Sequence, residues 1–255
     1  MRISLENQVA VVTGGSRGIG AATVKLFAEA GCNVVFSFLR ARKAARELEA
    51  WCSKTPGSAR AVRADLAKSS DARKLVDSAI RRFRRLDILV ANAGIWNAEP
   101  QCIDRITEQD WDQMLAVNLK GVYSVIRFAV PHMVGQGMGR IIAVSSTAGQ
   151  RGEAFHSHYA AAKGGVISLV KSLSTELAPH NILVNAVAPG WVVTDMPEPV
   201  LRHPTEKRKA TGSIPLRRFG RPEEVAMPIL FLASGMSTYM TGEIININGG
   251  NVLCG

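Results

Sequence analysis

Short, nearly continuous apolar runs recur along the chain and alternate with longer segments of mixed polarity. Val9-Ala10-Val11-Val12, Asn33-Val34-Val35-Phe36-Ser37-Phe38, Leu86-Asp87-Ile88-Leu89-Val90 and Arg140-Ile141-Ile142-Ala143-Val144 are runs of the first kind. Such runs suit strands buried on both faces. The pattern predicts strands near 8–12, 33–38, 59–64, 86–90, 140–145, 182–187 and 244–247. It predicts helices near 18–30, 41–52, 70–84, 110–135, 158–178 and 222–234. Strict alternation of this kind implies a doubly wound α/β architecture: a mostly parallel seven-stranded sheet with helices on both faces. At 255 residues one domain is the natural count, and no repeat or linker interrupts it. The pattern breaks from Pro197 to Pro215, which holds four prolines (Pro197, Pro199, Pro204, Pro215), many charges and few core formers.

Chemistry gathers at the ends of the predicted strands. Thr13-Gly14-Gly15-Ser16-Arg17-Gly18-Ile19-Gly20 lies between the first strand and the first helix. Glycines let the backbone turn tightly and approach a pyrophosphate, and the helix N-terminus favours its charge. The spacing is G-x-x-x-G-x-G, unlike the commoner G-x-G-x-x-G; a glycine turn alone also serves purely structural ends, but this placement is a nucleotide signal. The fourth strand runs into Asn92-Ala93-Gly94 and the fifth into Ser145-Ser146. In open parallel sheets, ligands bind beyond such carboxyl ends. Tyr159 and Lys163 stand four residues apart and share one helix face. A phenol with a pKa of ~10 is a poor acid–base group at neutral pH, but a nearby cation lowers that value. The pair then exchanges a proton with a substrate oxygen. The same spacing occurs on ordinary helix surfaces, so the pair gains meaning only beside the glycine turn and the polar strand ends.

Taken together, Gly14 to Gly20, Asn92-Ala93-Gly94, Asn118, Ser146, Tyr159, Lys163, Pro189-Gly190, Thr194 and the ending Thr241 to Gly250 resemble the classical short-chain dehydrogenase/reductase family across the whole chain. The 3-oxoacyl-[acyl-carrier-protein] reductases are its most similar sub-group. Ala91 departs from the family, which often has a second Asn there. The resemblance implies a single-domain Rossmann-type fold and hydride transfer between a nicotinamide and a carbonyl carbon. It makes Tyr159 the proton donor in reduction, Lys163 the group that tunes it and reaches the ribose, and Ser146 the donor to the substrate oxygen. Ser146 is preferred to Ser145 because the family interval to Tyr is thirteen residues. Asn118 would hold a water linking Lys163 to solvent; read alone, it is a mediocre helix former at an ordinary solvated position.

The implied cofactor contacts begin with Gly14, Ser16, Arg17, Gly18, Ile19 and Gly20. Phe38, Arg40, Asp65 and Leu66 would follow on the adenosine side. Asn92, Ala93, Gly94, Pro189, Gly190 and Thr194 would lie on the nicotinamide side. NAD-binding members end the second strand with an acid that holds the ribose 2′-OH. Here Phe38 stands in that place, with Arg17, Arg40, Arg42 and Lys43 nearby. The expected cofactor is therefore NADP (NADPH), although Arg40, Arg42, Lys43 and Arg46 would also solvate a helix face. Substrate-pocket candidates are Trp96, Gln150, Phe155, His156, Trp191 and Met196. His156 and His158, two apart and without a carboxylate partner, read as pocket or surface residues rather than a metal site. Residues 195–215 correspond to the family's mobile substrate lid. The family assembles as a homotetramer, with the helices at 110–135 and 158–178 pairing across one interface.

The net charge of +10 concentrates in Arg81-Arg82-Phe83-Arg84-Arg85 and in the stretch from Arg202 to Arg221, which holds seven basic residues and one acid, Glu206. These are either solvated faces or a docking surface for an anionic carrier such as acyl carrier protein or coenzyme A. Two carrier-docking arginines of the sub-group would fall at Gly137 and His180. No aromatic-studded basic strand points to nucleic acid. No apolar run reaches the ~18 residues of a membrane span. The start of the chain enters the first strand directly, so no signal peptide is expected. Cys32, Cys52, Cys102 and Cys254 are scattered without metal spacing, which suits a reducing cytoplasm. Two alternatives stay open: a polyol, sugar or steroid alcohol dehydrogenase with the same motifs, and a non-catalytic dinucleotide sensor. The complete set Asn118, Ser146, Tyr159 and Lys163 favours an enzyme.

Overall fold

Strand residues divide by alternation between two cores. The computed structural model describes residues 3–253. Seven strands, β1 (Val9–Val12), β2 (Asn33–Phe38), β3 (Ser58–Arg63), β4 (Ile88–Ala91), β5 (Gly139–Val144), β6 (Ile182–Pro189) and β7 (Ile244–Ile247), form one sheet in the order β3-β2-β1-β4-β5-β6-β7. Every pairing is parallel. Val9, Val11, Leu89, Ile141 and Val184 face one core, and Ala10, Val12, Ile88, Ile142 and Val187 face the other. Burying each such side chain contributes about 1.5–3 kcal/mol, which is why alternation decides the faces.

The first core is covered by α3 (Ser69–Phe83), α5 (Gly121–Gln136) and α7 (Ser157–Leu177), through residues such as Leu75, Val125, Met133 and Val170. The second is covered by α1 (Gly18–Glu29), α2 (Arg42–Cys52) and α10 (Pro222–Ala233), through Phe27, Leu48 and Ile229. The start of α10 is set locally: Pro222 opens the first turn and Glu224 reaches back to accept from the Arg221 backbone N–H at 2.7 Å. Strand order reverses between β1 and β4, so their carboxyl ends diverge and leave a crevice.

Three segments depart from the sequence expectation. The helix expected over 110–135 is α4 (Glu108–Leu115), a π-helical turn at Ala116–Lys120, and α5. The Asn118 side-chain amide donates to the Met114 carbonyl at 3.1 Å, competing with the backbone donor, as expected where the ladder widens. Asn118 is fully buried there, so it is not a solvated helix position. Residues after β5 form the short α6 (Thr147–Arg151), with Ser146 as its cap. The proline-rich stretch contains α8 (Glu198–Arg202) and α9 (Pro204–Gly212); Pro204 sits in a first turn, where its missing N–H costs nothing. Among the described residues, no helix is long and apolar enough to cross a membrane. Cys32 and Cys52 are buried, Cys102 is exposed, and Cys254 lies outside the described residues.

Candidate active site

A cavity of about 980 Å³ runs along the carboxyl ends of the strands at the β1/β4 crevice. The glycine turn forms one wall. Gly14 has φ +64°, and a Cβ there would meet Ala93 Cα at 3.0 Å. A Cβ on Gly20 would lie 2.2 Å from the Gly14 carbonyl oxygen. Gly20 therefore sits beneath the cavity, where it lets α1 pack on the turn, while Gly14, Ser16, Arg17, Gly18 and Ile19 line it. The turn is held from β4: Asn92 Nδ2 donates to the carbonyls of Thr13 (2.9 Å) and Gly14 (3.2 Å), and Thr13 Oγ1 accepts from the N–H groups of Asn92 and Ala93. No side chain caps the N-terminus of α1, and its first turn holds no acid. Its N–H groups are left for an anionic ligand.

Phe38, Arg40, Asp65 and Leu66 line the cavity, as do Asn92, Ala93, Gly94, Pro189, Gly190 and Thr194. Arg17 is engaged by Asp195 at 3.1 Å, across the cavity mouth. Beside Phe38 lies a recess of about 370 Å³ bounded by Phe38, Leu39, Arg40, Arg42 and Arg63, with no carboxylate among them. Arg63 went unread in the sequence. The only signal for it was strand register, since β2–β3 pairing sets Arg63 directly beside Phe38. Its Nε donates to the Leu39 carbonyl at 3.4 Å. Lys43 instead faces Glu47 at 3.9 Å on the exposed helix surface.

Tyr159 and Lys163 rise on successive turns of α7, with Nζ 5.9 Å from the phenol ring centroid. Lys163 is buried and donates to the Val144 carbonyl at 2.8 Å. Burial holds its pKa down at about 8. Burial also pushes the Tyr159 phenol up to about 12, against a downward pull from the Ser146 hydroxyl. The expectation of a phenol lowered by its lysine is thus reversed in the free protein. Desolvation is the largest cause, and the Lys163 ammonium is engaged by the Val144 carbonyl. Ser146 Oγ accepts from the Ala148 N–H at 3.1 Å and lines the cavity with Tyr159. Ser145 points away and donates to the Lys163 carbonyl at 2.9 Å, tying β5 to α7. The Asn118 Oδ1 accepts from Ile95 N–H at 3.0 Å, and Nδ2 donates to the Ile95 carbonyl at 3.0 Å. A Cβ on Gly94 would come within 2.7 Å of Asn118 Oδ1 and 3.5 Å of Lys163 Nζ, so the end of β4 brings these two together.

On the substrate side, Trp96, Trp191 and Met196 line the cavity. Trp96 and Trp191 meet edge to face at 5.9 Å, and Phe219 meets Trp191 in the same way at 5.9 Å. Phe219 had no signal in the sequence; it arrives through the bridge between Val192 and Gly220. His156 is buried and stacks behind Trp96 at 5.1 Å, and so supports the wall without lining it. Two expected pocket residues lie elsewhere. Gln150 Nε2 donates to Asn246 Oδ1 at 2.6 Å, because α6 turns that side chain toward β7. Phe155, at φ +64°, is 55% exposed outside the cavity, where its carbonyl accepts from Gln101. No cluster of metal-ligating side chains exists among the described residues.

The sheet, the glycine turn and the Tyr–Lys pair define a dinucleotide-dependent oxidoreductase site. The chain belongs to the short-chain dehydrogenase/reductase family: a family model described as "Enoyl-(Acyl carrier protein) reductase" matches residues 14–251. It is 41% identical over 250 residues to the 3-oxoacyl-[acyl-carrier-protein] reductase FabG of Thermotoga maritima, covering 98% of this chain and 99% of the relative. The 3-oxoacyl-[acyl-carrier-protein] reductase of Synechocystis is 39% identical over 251 residues, covering 98% and 99%. A solved structure from Brucella melitensis, described as a short-chain dehydrogenase/reductase of the glucose/ribitol dehydrogenase type, superposes with a TM-score of 0.90 at 34% identity, covering 100% of both chains. A dehydrogenase/reductase from Sinorhizobium meliloti superposes with a TM-score of 0.89 at 32% identity, covering 97% of this chain and 96% of the other. The protein is a carbonyl-reducing oxidoreductase of this family, and its cofactor is a nicotinamide dinucleotide.

Proposed function

We propose that the protein is an NADPH-dependent reductase of 3-oxoacyl thioesters. The observation that carries this reading is that Ser146, Tyr159 and Lys163 line the same cavity as the glycine turn. Burial holds the phenol at about 12 in the free protein, so it carries a proton at neutral pH that it can give to a carbonyl oxygen in reduction. Ser146 orients the carbonyl oxygen and stabilises the charge that develops on it. The bound cofactor would supply hydride to the carbonyl carbon. The N–H groups of α1 would hold its pyrophosphate, and the Arg40/Arg42/Arg63 recess its 2′-phosphate, since guanidiniums pair well with phosphate. Pro189, Gly190 and Thr194 would flank the nicotinamide. Lys163 would hold the ribose hydroxyls, and the π turn at Asn118 would seat a water from which a proton reaches Lys163. The names of the relatives support the thioester substrate.

A second reading, oxidoreduction of a cyclic polyol or sugar, is favoured by the aromatic wall of Trp96 and Trp191 and by the Brucella relative. The test is spectrophotometric oxidation of NADPH and NADH with 3-oxoacyl thioesters, diketones and keto-sugars. Thioester turnover with NADPH supports the first reading. Turnover of keto-sugars alone would establish the second.

A further inference from the structure

We infer that the exposed basic helix α9, with Arg217 beyond it, is the docking surface for an acidic carrier protein that delivers the thioester; this rests on the reading just given. The segment 195–219 is rooted at the cavity at both ends. Asp195, Met196 and Pro197 line the cavity before α8 begins. At the other end Phe219 packs on Trp191, Gly220 N–H donates to the Trp191 carbonyl at 2.9 Å, and Ile214 is buried. Between these anchors α9 buries no residue at all. Its charged side chains Glu206, Lys207, Arg208 and Lys209 are all exposed.

The charges on this segment sort into two groups. Arg202 is paired with Glu198 at 2.6 Å, and Arg218 and Arg221 share Glu224. Lys207, Arg208, Lys209 and Arg217 meet no carboxylate among the described residues. Uncompensated cations at a cavity mouth raise the local concentration of an anionic partner and orient its approach. Beside them Leu216 is 64% and Met196 41% exposed, which adds the apolar contact that protein interfaces carry. No Phe, Tyr or Trp lies between Arg202 and Arg218 to stack a base. Four cations spread over a helix and the following turn fit an extended acidic face better than a single nucleotide phosphate.

The other basic run offers an internal control. Arg81, Arg82 and Arg84 are exposed at the end of α3, ahead of β4, and so lie at the amino edge of the sheet away from the cavity. The experiment compares the charge-reversal variants K207E/R208E/K209E and R81E/R82E/R84E with the wild type. The substrates are one 3-oxoacyl group on acyl carrier protein, on coenzyme A and on N-acetylcysteamine. For the α9 variant, kcat/KM on the carrier protein should fall at least about tenfold, mainly through KM, which corresponds to ~1.4 kcal/mol. Its kcat/KM on N-acetylcysteamine should stay within about twofold, and the α3 variant should match wild type on both. An unchanged α9 variant, or equal losses in both variants, overturns the inference. An equal loss on coenzyme A overturns the carrier protein as partner and points to a nucleotide anion. If wild type reduces no thioester, the proposed function fails by itself. Binding of labelled carrier protein then decides the docking surface: binding lost only in the α9 variant supports it, and no binding to wild type overturns it.

Discussion

The cofactor half of the site and the substrate half are built on different principles. Around β1–β3 the functional surface is mostly backbone: glycines at 14, 18 and 20, uncapped N–H groups of α1, and carbonyls clamped by Asn92. Around β4–β7 it is mostly side chains drawn from distant segments: Trp96, Ser146, Tyr159, Trp191 and Phe219. Main-chain geometry fails all at once when one atom is added. A wall of side chains fails gradually, and so is the place where one scaffold can change its substrate.

The sharpest test is Tyr159→Phe, which should cost about 10²- to 10⁴-fold in kcat while leaving cofactor affinity within about twofold by fluorescence titration. Retention of most activity would place the proton donor elsewhere. Gly20→Ala pushes a Cβ into the Gly14 carbonyl and should cost about 1–3 kcal/mol by urea denaturation, together with cofactor affinity. Trp191→Ala, in contrast, should shift KM among substrates and leave cofactor affinity nearly untouched. If Gly20→Ala bound cofactor normally, the contrast between a rigid and an adaptable half would collapse. Asn118→Leu removes the partner of the part-buried N–H and carbonyl of Ile95, and unfolding should become easier by about 0.5–1.5 kcal/mol. Arg63→Ala should raise KM for NADPH about tenfold, the scale of one charge-assisted contact, and leave KM for NADH unchanged.

The remaining effect is in pH. The folded pKa of Lys163, about 8, lies below its ordinary 10.5, so the unfolded chain holds more protons between those values and stability rises with pH there. Tyr159, held at about 12 against 10, keeps its proton longer in the folded state, so stability falls from pH 10 upward. Urea midpoints should therefore climb between about pH 8 and 9 and fall above that, because burial raises the Cys32 thiol and holds the Cys52 thiol at about 11, so both keep their protons longer in the fold; Lys163→Met should remove the climb.

Much of this was legible in the sequence because it depends on short-range rules. Apolar runs and turns marked all seven strands to within about two residues, which is the usual scatter of such boundaries. The glycine turn, the Ser146–Tyr159 interval and the helical pair with Lys163 needed only neighbouring residues. Asn118 was found as a residue, but its burial in a π turn was not legible, because that turn brings its side chain to the carbonyl four residues back. Gln150 and Phe155 were near the right strand end, yet α6 turned one toward β7 and the other out into solvent.

By itself the sequence determined the alternating architecture, the glycine turn and the candidate set Ser146, Tyr159 and Lys163, since periodicity, φ requirements and helical spacing act over a few residues. The tertiary structure alone decided the rest. Register set Arg63 beside Phe38, packing set Phe219 behind Trp191, and closure of the sheet end buried Lys163 and left Tyr159 half-buried on the cavity wall. Those outcomes depend on contacts between segments far apart in the chain, and on a desolvation cost that no local pattern of residues encodes.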